Sequence, residues 1–594
     1  MYSQTFSKYF KNHIKAIASS VVVLLLLLSI IILKVSRQEG GIVPIVLKTE
    51  PTVVSGGYIK INWSGANSNS NDDWIIFTNG DSPSKASVIE DSWQYVYGGI
   101  DQLKKSSSSD GFVSVKAPAK PGQYKIFYCQ SNKFDCNSGI SINVIPPPVT
   151  CRKPLETASS IKHVITIISE NHSFDSYFGR YCQAKPGSDP KCNLGRDCCE
   201  AGTTSISSVT PVTLTDSENH SHDPCHTYEC MVCGINDGKM DGYLSSGKCK
   251  NSNDKNYAMA SGSEDSAGKY WKLASTYAMA DRFFQSAPGA SSQSDMYFAR
   301  GAFVFKDNDY VPSTHHHQSN KKSYDDPTIA DLLIGCNVSF TTYAEGYKKN
   351  PPSSERYPEY YDSSDIPFQY YPSLTMSSKS DDYFKNMDAF RADVTNGVLP
   401  AVSYIKPLGI NSEHPGFSNI SAGEQFNERI INQVLSSPLY RENTLILLVS
   451  DESGGYRDSI KPPPKSTVDN QPYGPRTPFL AVGHMVQKNF VSHEQMEPAS
   501  IIRFIESNFL GDTKPGQLNT RDAVDVASIS WLQAITNDDS YNRTNIQHQA
   551  AGRQHIFHQK HYQRRDILLW GKSGTTKNAG QSTKHKHEYE NVQG

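Results

Sequence analysis

The sequence predicts an α/β domain on a mainly parallel sheet, preceded by a smaller β-sandwich domain. From Ile161 onward, apolar strand-like runs (VITIIS, TLILLVS, PFLAVG) alternate with helix-like ones (GEQFNERIINQVLSS, EPASIIRFIESNFL). Parallel strands need such intervening crossovers. Before that region, KINW, DWIIFT, FVSVKAP, PGQYKIFYC and ISINVI are short β-branched and aromatic runs separated by Gly, Ser, Asn and Pro. Their spacing suits an immunoglobulin-like sandwich over residues 44–146. The chain's 594 residues are too many for one ordinary domain and enough for these two.

The flanks are distinct in composition. Lys8, Lys11 and Lys15 precede an uncharged, largely apolar run of 18 residues, Ala16–Leu33. Residues 1–40 are therefore expected to be an N-terminal membrane anchor or a signal peptide. The remainder would be anchored facing outside the cytoplasm, or secreted if the segment is cleaved. Twelve cysteines, nine of them within Cys151–Cys249, fit a disulfide framework in an exported protein. Cys129 and Cys136 are spaced to close a local loop, and Pro146-Pro147-Pro148 reads as a stiff linker. Residues 538–594 are polar and His-rich, with little to build a core. A formal net charge of −2 gives no electrostatic reason to propose nucleic acid as a partner.

Functional groups in open α/β sheets collect beyond the carboxyl ends of the strands. After VITIIS come Glu170 and Asn171, and after TLILLVS come Asp451 and Glu452. These are hard oxygen donors of the kind a divalent cation takes. In SAPGASSQSDMYFARG, Ser291 follows Gly289-Ala290 in a small-residue turn. Such a serine becomes a nucleophile once a base or a metal lowers its pKa. HDPCHTYE carries Asp223 and His226, and EHPG carries His414 beside Glu413. His315-His316-His317 is conspicuous, but consecutive residues do not share a face, so it says little.

Together these segments resemble a known family. ENHSFDSYFG (Glu170–Gly179) is similar to the ENRSFDHYFG signature of the bacterial phosphoesterase family, which holds phosphatidylcholine-type phospholipases C and acid phosphatases. HDPCHTYE resembles its HDPGHSF segment, and NDGKMDGY resembles NGGKMDGF. GASSQSDMYFARG resembles the GASSxNDMYFARA form of the acid-phosphatase branch, and SEHPG, SDESGGYRDSIKPPP, GPRTPFLAVG and SIIRFIESNF follow in family order. The resemblance covers roughly residues 160–535 of the predicted 160–537 domain and implies an alkaline-phosphatase-like sandwich around the central sheet.

It also implies chemistry. Glu170, Asn171, Asp451 and Glu452 would hold a divalent cation of unspecified identity, with Ser291 both metal-bound and nucleophilic. His226 and His414 would meet the phosphoryl oxygens or protonate the leaving group, with Asp223 orienting. The implied protein is an exported phosphoric ester hydrolase of acid-phosphatase type, working through a phosphoserine. The alternatives are a phospholipase C cleaving phosphatidylcholine-type lipids and a degenerate esterase serving as a surface binding protein. The substrate would be a phosphate monoester or a phospholipid. Departures from the family pattern are Ser459 and Pro498, where histidines are usual, and Ile366, where a polar residue is usual.

Overall fold

The computed structural model describes residues 45–524 apart from 67–71, 97–108, 132, 184–198, 201–205, 207, 248, 353 and 512–515. The apolar N-terminal run and the polar C-terminal stretch lie outside the described residues. Among the described residues, no helix is long and apolar enough to cross a membrane.

The α/β expectation holds. One eight-stranded sheet has the spatial order Phe384–Asn386, Phe340–Ala344, Val402–Lys406, His163–Ser169, Thr444–Ser450, Phe479–Val482, Ala278–Ala280, Phe490–Ser492. Only Phe479–Val482 runs against the rest, pairing antiparallel with both its neighbours. His163–Ser169 lies between Val402–Lys406 and Thr444–Ser450, parallel to both.

Side chains in these central strands alternate between two apolar layers, because successive residues of a strand point to opposite faces. Val164, Ile168, Leu445, Leu447 and Val449 enter one layer with Ile501, Phe504 and Ile505 of the helix Pro498–Phe509. Ile165, Ile167, Ile446 and Leu448 enter the other with Phe426, Ile430 and Val434 of the helix Ile420–Ser436. With both faces covered, the sheet presents solvent-reachable chemistry at its strand ends.

The N-terminal strands form two further sheets. Val46–Lys48, Tyr58–Ser64 and Asp110–Lys116 make one, and Thr52–Val54, Ile140–Ile145, Gly122–Gln130, Trp74–Thr78 and Val88–Tyr95 make most of the other. In Tyr58–Ser64, Ile59, Ile61 and Trp63 point inward while Lys60, Asn62 and Ser64 point outward. The inward set shares a core with Ile75, Phe77, Ile126, Ile142 and Val144 of the second sheet.

These sheets dock on the α/β region through a buried ion cluster. Lys116 Nζ lies 2.7 Å from Asp326 Oδ2, and Arg300 Nη1 lies 3.1 Å from the same oxygen. Arg300 also donates from Nη2 to the Gly56 carbonyl. Five disulfides join described residues: Cys129–Cys136, Cys151–Cys336, Cys182–Cys199, Cys225–Cys230 and Cys233–Cys249. The first closes the local loop expected from its spacing. The second pins the segment following the three prolines to the α/β region.

Candidate active site

The central strands His163–Ser169 and Thr444–Ser450 end side by side, with Ser169 paired to Ser450. The residues that follow are therefore brought together. The backbone N–H of Asn171 donates to Asp451 Oδ1 at 3.2 Å, and that of Glu452 donates to the same oxygen at 2.7 Å. Asn171 adopts a left-handed conformation (φ 63°), which asparagine tolerates better than most residues. Gly454 is also left-handed (φ 65°), and a Cβ there would collide with the Asn171 carbonyl oxygen. This glycine is required by close backbone approach. Its N–H donates to Glu452 Oε2 at 2.6 Å and fixes that carboxylate.

Ser291 begins the helix Ser291–Arg300, and its side chain is not spent on capping, since the N-cap is Ala290. Its hydroxyl donates to Asn171 Oδ1 at 3.1 Å. A buried hydroxyl at the start of a ten-residue helix meets the positive end of the helix dipole, which favours an anion there.

Both histidines named from the sequence border this point. His414 Nδ1 lies 2.6 Å from the Pro415 carbonyl, and His226 Nδ1 lies 2.9 Å from the Pro224 carbonyl. A carbonyl only accepts, so each ring carries its proton on Nδ1 and keeps Nε2 for other work. The two rings are 5.6 Å apart in a T-shaped arrangement. Asp223 Oδ1 is 3.5 Å from His226 Nδ1. Burial, then the neighbouring His414, hold the His226 pKa below its ordinary value.

The Asn171 amide can be seated two ways, and the difference tests the site for a cation. With its nitrogen turned inward, it donates to Glu452 Oε1 at 3.0 Å, Asp451 Oδ1 at 3.1 Å and Ser291 Oγ at 3.1 Å. Its oxygen then accepts from His414 Nε2 at 2.7 Å, which requires a doubly protonated ring. With its oxygen inward, three acceptor oxygens and the serine oxygen face one another, and His414 can stay neutral. Positive charge or a carboxyl proton among the oxygens stabilises that second arrangement. Asp451 Oδ2 is buried without a hydrogen-bond partner. Burial, and for Glu452 also the adjacent Asp451, push both carboxyls above the usual range. The donors thus fit a hard cation. Among the described residues, no group of three or more His, Cys, Asp and Glu is placed to hold a metal. Half of this set comes instead from an amide and a hydroxyl.

Glu170 sits differently from its neighbours. Its Oε1 lies 3.1 Å from Lys406 Nζ, and its Oε2 accepts from Tyr357 at 2.9 Å and from Ser412 at 3.3 Å. Lys406 is a residue that the sequence reading missed. It is buried at the end of Val402–Lys406, 3.2 Å from Asp295 Oδ2 and 3.7 Å from Asp451 Oδ2. Burial alone would lower its pKa, but Asp295, Glu170 and Asp451 hold it well above the ordinary lysine value. The same strand-end rule, applied to VSYIK, would have found it. No local signal marks Tyr357, which arrives from a distant loop.

The residues that depart from the family pattern have other partners. Ser459 N–H donates to Asp175 Oδ2 at 2.9 Å, Pro498 opens the helix Pro498–Phe509, and Ile366 is buried in the larger apolar layer. His172 is also structural. It is fully buried, stacked between Tyr177 and Tyr456, with Nε2 on Asn219 at 2.9 Å.

A serine at a helix N-terminus, ringed by oxygen donors and two histidines at the carboxyl ends of parallel strands, defines an α/β protein with a site suited to an anionic group. The chain belongs to the phosphoesterase family, whose model matches residues 161–510. It is 23% identical over 434 residues to a non-hemolytic phospholipase C of Burkholderia pseudomallei, covering 64% of this chain and 59% of that protein. It is 24% identical over 378 residues to non-specific phospholipase C6 of Arabidopsis thaliana, covering 59% and 66%. A shorter match, 32% identical over 140 residues, is to an acid phosphatase of Aspergillus fumigatus, covering 23% and 31%. The chain thus spans under two thirds of the length of these relatives.

Proposed function

We propose that this protein is an exported, metal-dependent phosphoric ester hydrolase of acid-phosphatase type, with Ser291 as its nucleophile. The observation that carries the reading is the meeting of Ser291 Oγ with the Asn171 amide at 3.1 Å, beside Asp451 and Glu452. Asn171, Ser291, Asp451 and Glu452 would hold the divalent cation. Glu170 borders the set and would complete it while Lys406 holds its carboxylate in place. When bound, the cation supplies charge that polarises the phosphoryl group and acidifies the serine hydroxyl.

The remaining steps belong to the chain's own groups. Ser291 Oγ loses its proton and attacks phosphorus, and the bond from phosphorus to the alcohol oxygen breaks on the opposite side. His226 and His414, with Nδ1 tied to backbone carbonyls, are the groups to carry the proton to the departing alkoxide. Asp223 orients His226. Water then hydrolyses the phosphoserine.

The eight-stranded sheet with helices on both faces supports an alkaline-phosphatase-like architecture. The two N-terminal sheets around one core support an immunoglobulin-like β-sandwich. Disulfides among the described residues support an oxidising compartment, reached through the apolar N-terminal segment as anchor or signal peptide. A phospholipase C is the second reading, favoured by the longer-matching relatives, which are named as phospholipases C.

The test is hydrolysis of p-nitrophenyl phosphate and of phosphatidylcholine by the purified full chain, before and after chelation. Monoester hydrolysis lost on chelation and in Ser291→Ala is expected. Phosphocholine release without monoester hydrolysis would replace the first reading with the second. Full activity in Ser291→Ala would overturn both.

A further inference from the structure

The three consecutive histidines, uninformative in the sequence, line a cavity of about 50 Å³ that opens to solvent. Tertiary structure does what adjacency could not. The rings of His315 and His317 meet edge to face at 5.8 Å, with His316 between them in the chain. Lys348 and Lys349 complete a lining with five basic residues and no aspartate or glutamate. None of Asn171, Ser291, His226, His414, Asp451 or Glu452 takes part. A neighbouring cavity, which shares Tyr361 with this one, lies between it and Lys406.

Three polar atoms of this lining are buried without a hydrogen-bond partner: Thr314 Oγ1, His315 Nε2 and the Tyr361 hydroxyl. Each would cost about 1–3 kcal/mol if left unsatisfied. His315 is only 4% exposed. Its Nδ1 lies 3.2 Å from Asp362 Oδ1 and 3.3 Å from Ser363 Oγ, so the ring is held with a proton on that nitrogen. The Asp362 carboxylate is itself committed, accepting from the Ser364 N–H at 2.8 Å and the Ser364 hydroxyl at 2.7 Å. The acid that orients His315 therefore stays outside the cavity while His315 Nε2 remains uncommitted. Lys348 and Lys349 pair directly with Glu355 and Asp381, while about half of each lysine side chain stays exposed to solvent.

We propose that this cavity is a second binding site, separate from the Ser291 centre, for a phosphate group. Two hydroxyls and the His315 ring, protonated on both nitrogens, would donate to its oxygens, and the two lysines would supply charge at the rim. The shared chemistry is a tetrahedral oxyanion, brought either as free inorganic phosphate or as the head of an organic phosphate. A metal site is the competing use of histidines. It is disfavoured by the absence of any carboxylate in the lining and by His317 Nε2, which is already bonded to the Glu355 carbonyl at 2.7 Å.

The experiment is calorimetric titration of the chelator-treated full chain carrying Ser291→Ala, with inorganic phosphate in one arm and phenylphosphonate in the other. The same titrations are run on that protein with His315→Gln added, and separately with Tyr361→Phe added. At least one ligand is expected to bind with a stoichiometry near one, weakened about tenfold or more by His315→Gln and measurably by Tyr361→Phe. The arm that binds identifies the source. Tyr361→Phe removes a single oxygen and keeps the test valid if His315→Gln perturbs folding. Binding unchanged by both substitutions, no binding in either arm, or His315-dependent uptake of zinc without phosphate binding would each overturn the proposal. Hydrolysis by protein with intact Ser291 is read separately, so failure here leaves the catalytic reading to its own test.

Discussion

Replacing Asp326 with asparagine should destabilise the whole described chain far more than the same change at its neighbour, Asp325. Asp326 is 3% exposed and is the shared counter-ion of Lys116, from the N-terminal sheets, and Arg300, at the end of the helix that begins with Ser291. Asparagine keeps the shape but leaves two buried cations without their anion. Removing one partner from a buried ion pair costs about 3–5 kcal/mol. At about 1.4 kcal/mol per factor of ten, that shifts the unfolding equilibrium by two to three and a half powers of ten. Asp325 pairs with Lys120 at 3.8 Å, with side chains 58% and 81% exposed, and an exposed pair of this kind contributes at most about 1 kcal/mol. Urea unfolding of the wild type, Asp325→Asn and Asp326→Asn, followed by tryptophan fluorescence and circular dichroism, measures both. Trp63 and Trp74 report on the N-terminal strands and Trp271 on the α/β region. Equal losses at 325 and 326, or a loss below about 1 kcal/mol at 326, would refute the claim that this ion cluster joins the two parts. Separate wild-type transitions for the two regions would refute it as well.

Lys406→Met should lower the affinity for the proposed cation by about 10–100-fold, because Glu170 and Asp451 lose the ammonium that holds them in place. Metal titration monitored by bound-metal content checks this, with Lys406→Arg expected to restore part of the affinity. Gly454→Ala forces a side chain against the Asn171 carbonyl from a left-handed backbone, so about a 100-fold loss of kcat/KM is expected, with about 1–3 kcal/mol of strain. A near-wild-type rate would contradict the close approach. Glu424 and Glu413 form a buried acidic pair near Tyr177, Tyr270 and Lys269, and burial pushes their pKa values up to about 8 and about 7. The folded chain thus keeps protons that the unfolded chain releases near its ordinary carboxyl range, and this contribution to stability falls as pH rises from about 5 to 8. Glu424→Gln should flatten the decline measured by urea midpoints across that range. An unchanged slope would count against the assignment.

Much of the α/β framework was legible because the signals are local. His163–Ser169 and Thr444–Ser450 are mostly apolar without polar alternation, as strands covered on both faces must be, and Ile420–Ser436 carries its apolar residues at helical spacing. The reversed direction of Phe479–Val482 was not legible, since PFLAVG reads the same in either orientation. Asn171, Ser291, Asp451 and Glu452 were each visible as residues following a strand or turn, but their separations of 120 and 280 positions gave no distances. Family likeness linked them, and the sheet register brought them within hydrogen-bond reach.

By itself, then, the sequence determined which segments are strands and helices and which donors stand at their ends, because periodicity and turn chemistry act over a few residues. Tertiary structure alone decided partnership. It gave Lys406 to Glu170, Asp295 and Asp451, turned His172 into a packing residue between two tyrosines, and brought His315 and His317 to one cavity wall. The physical reason is that a buried charge is set by whatever lies within a few ångströms in space, and those neighbours come from strands and loops far apart in the chain.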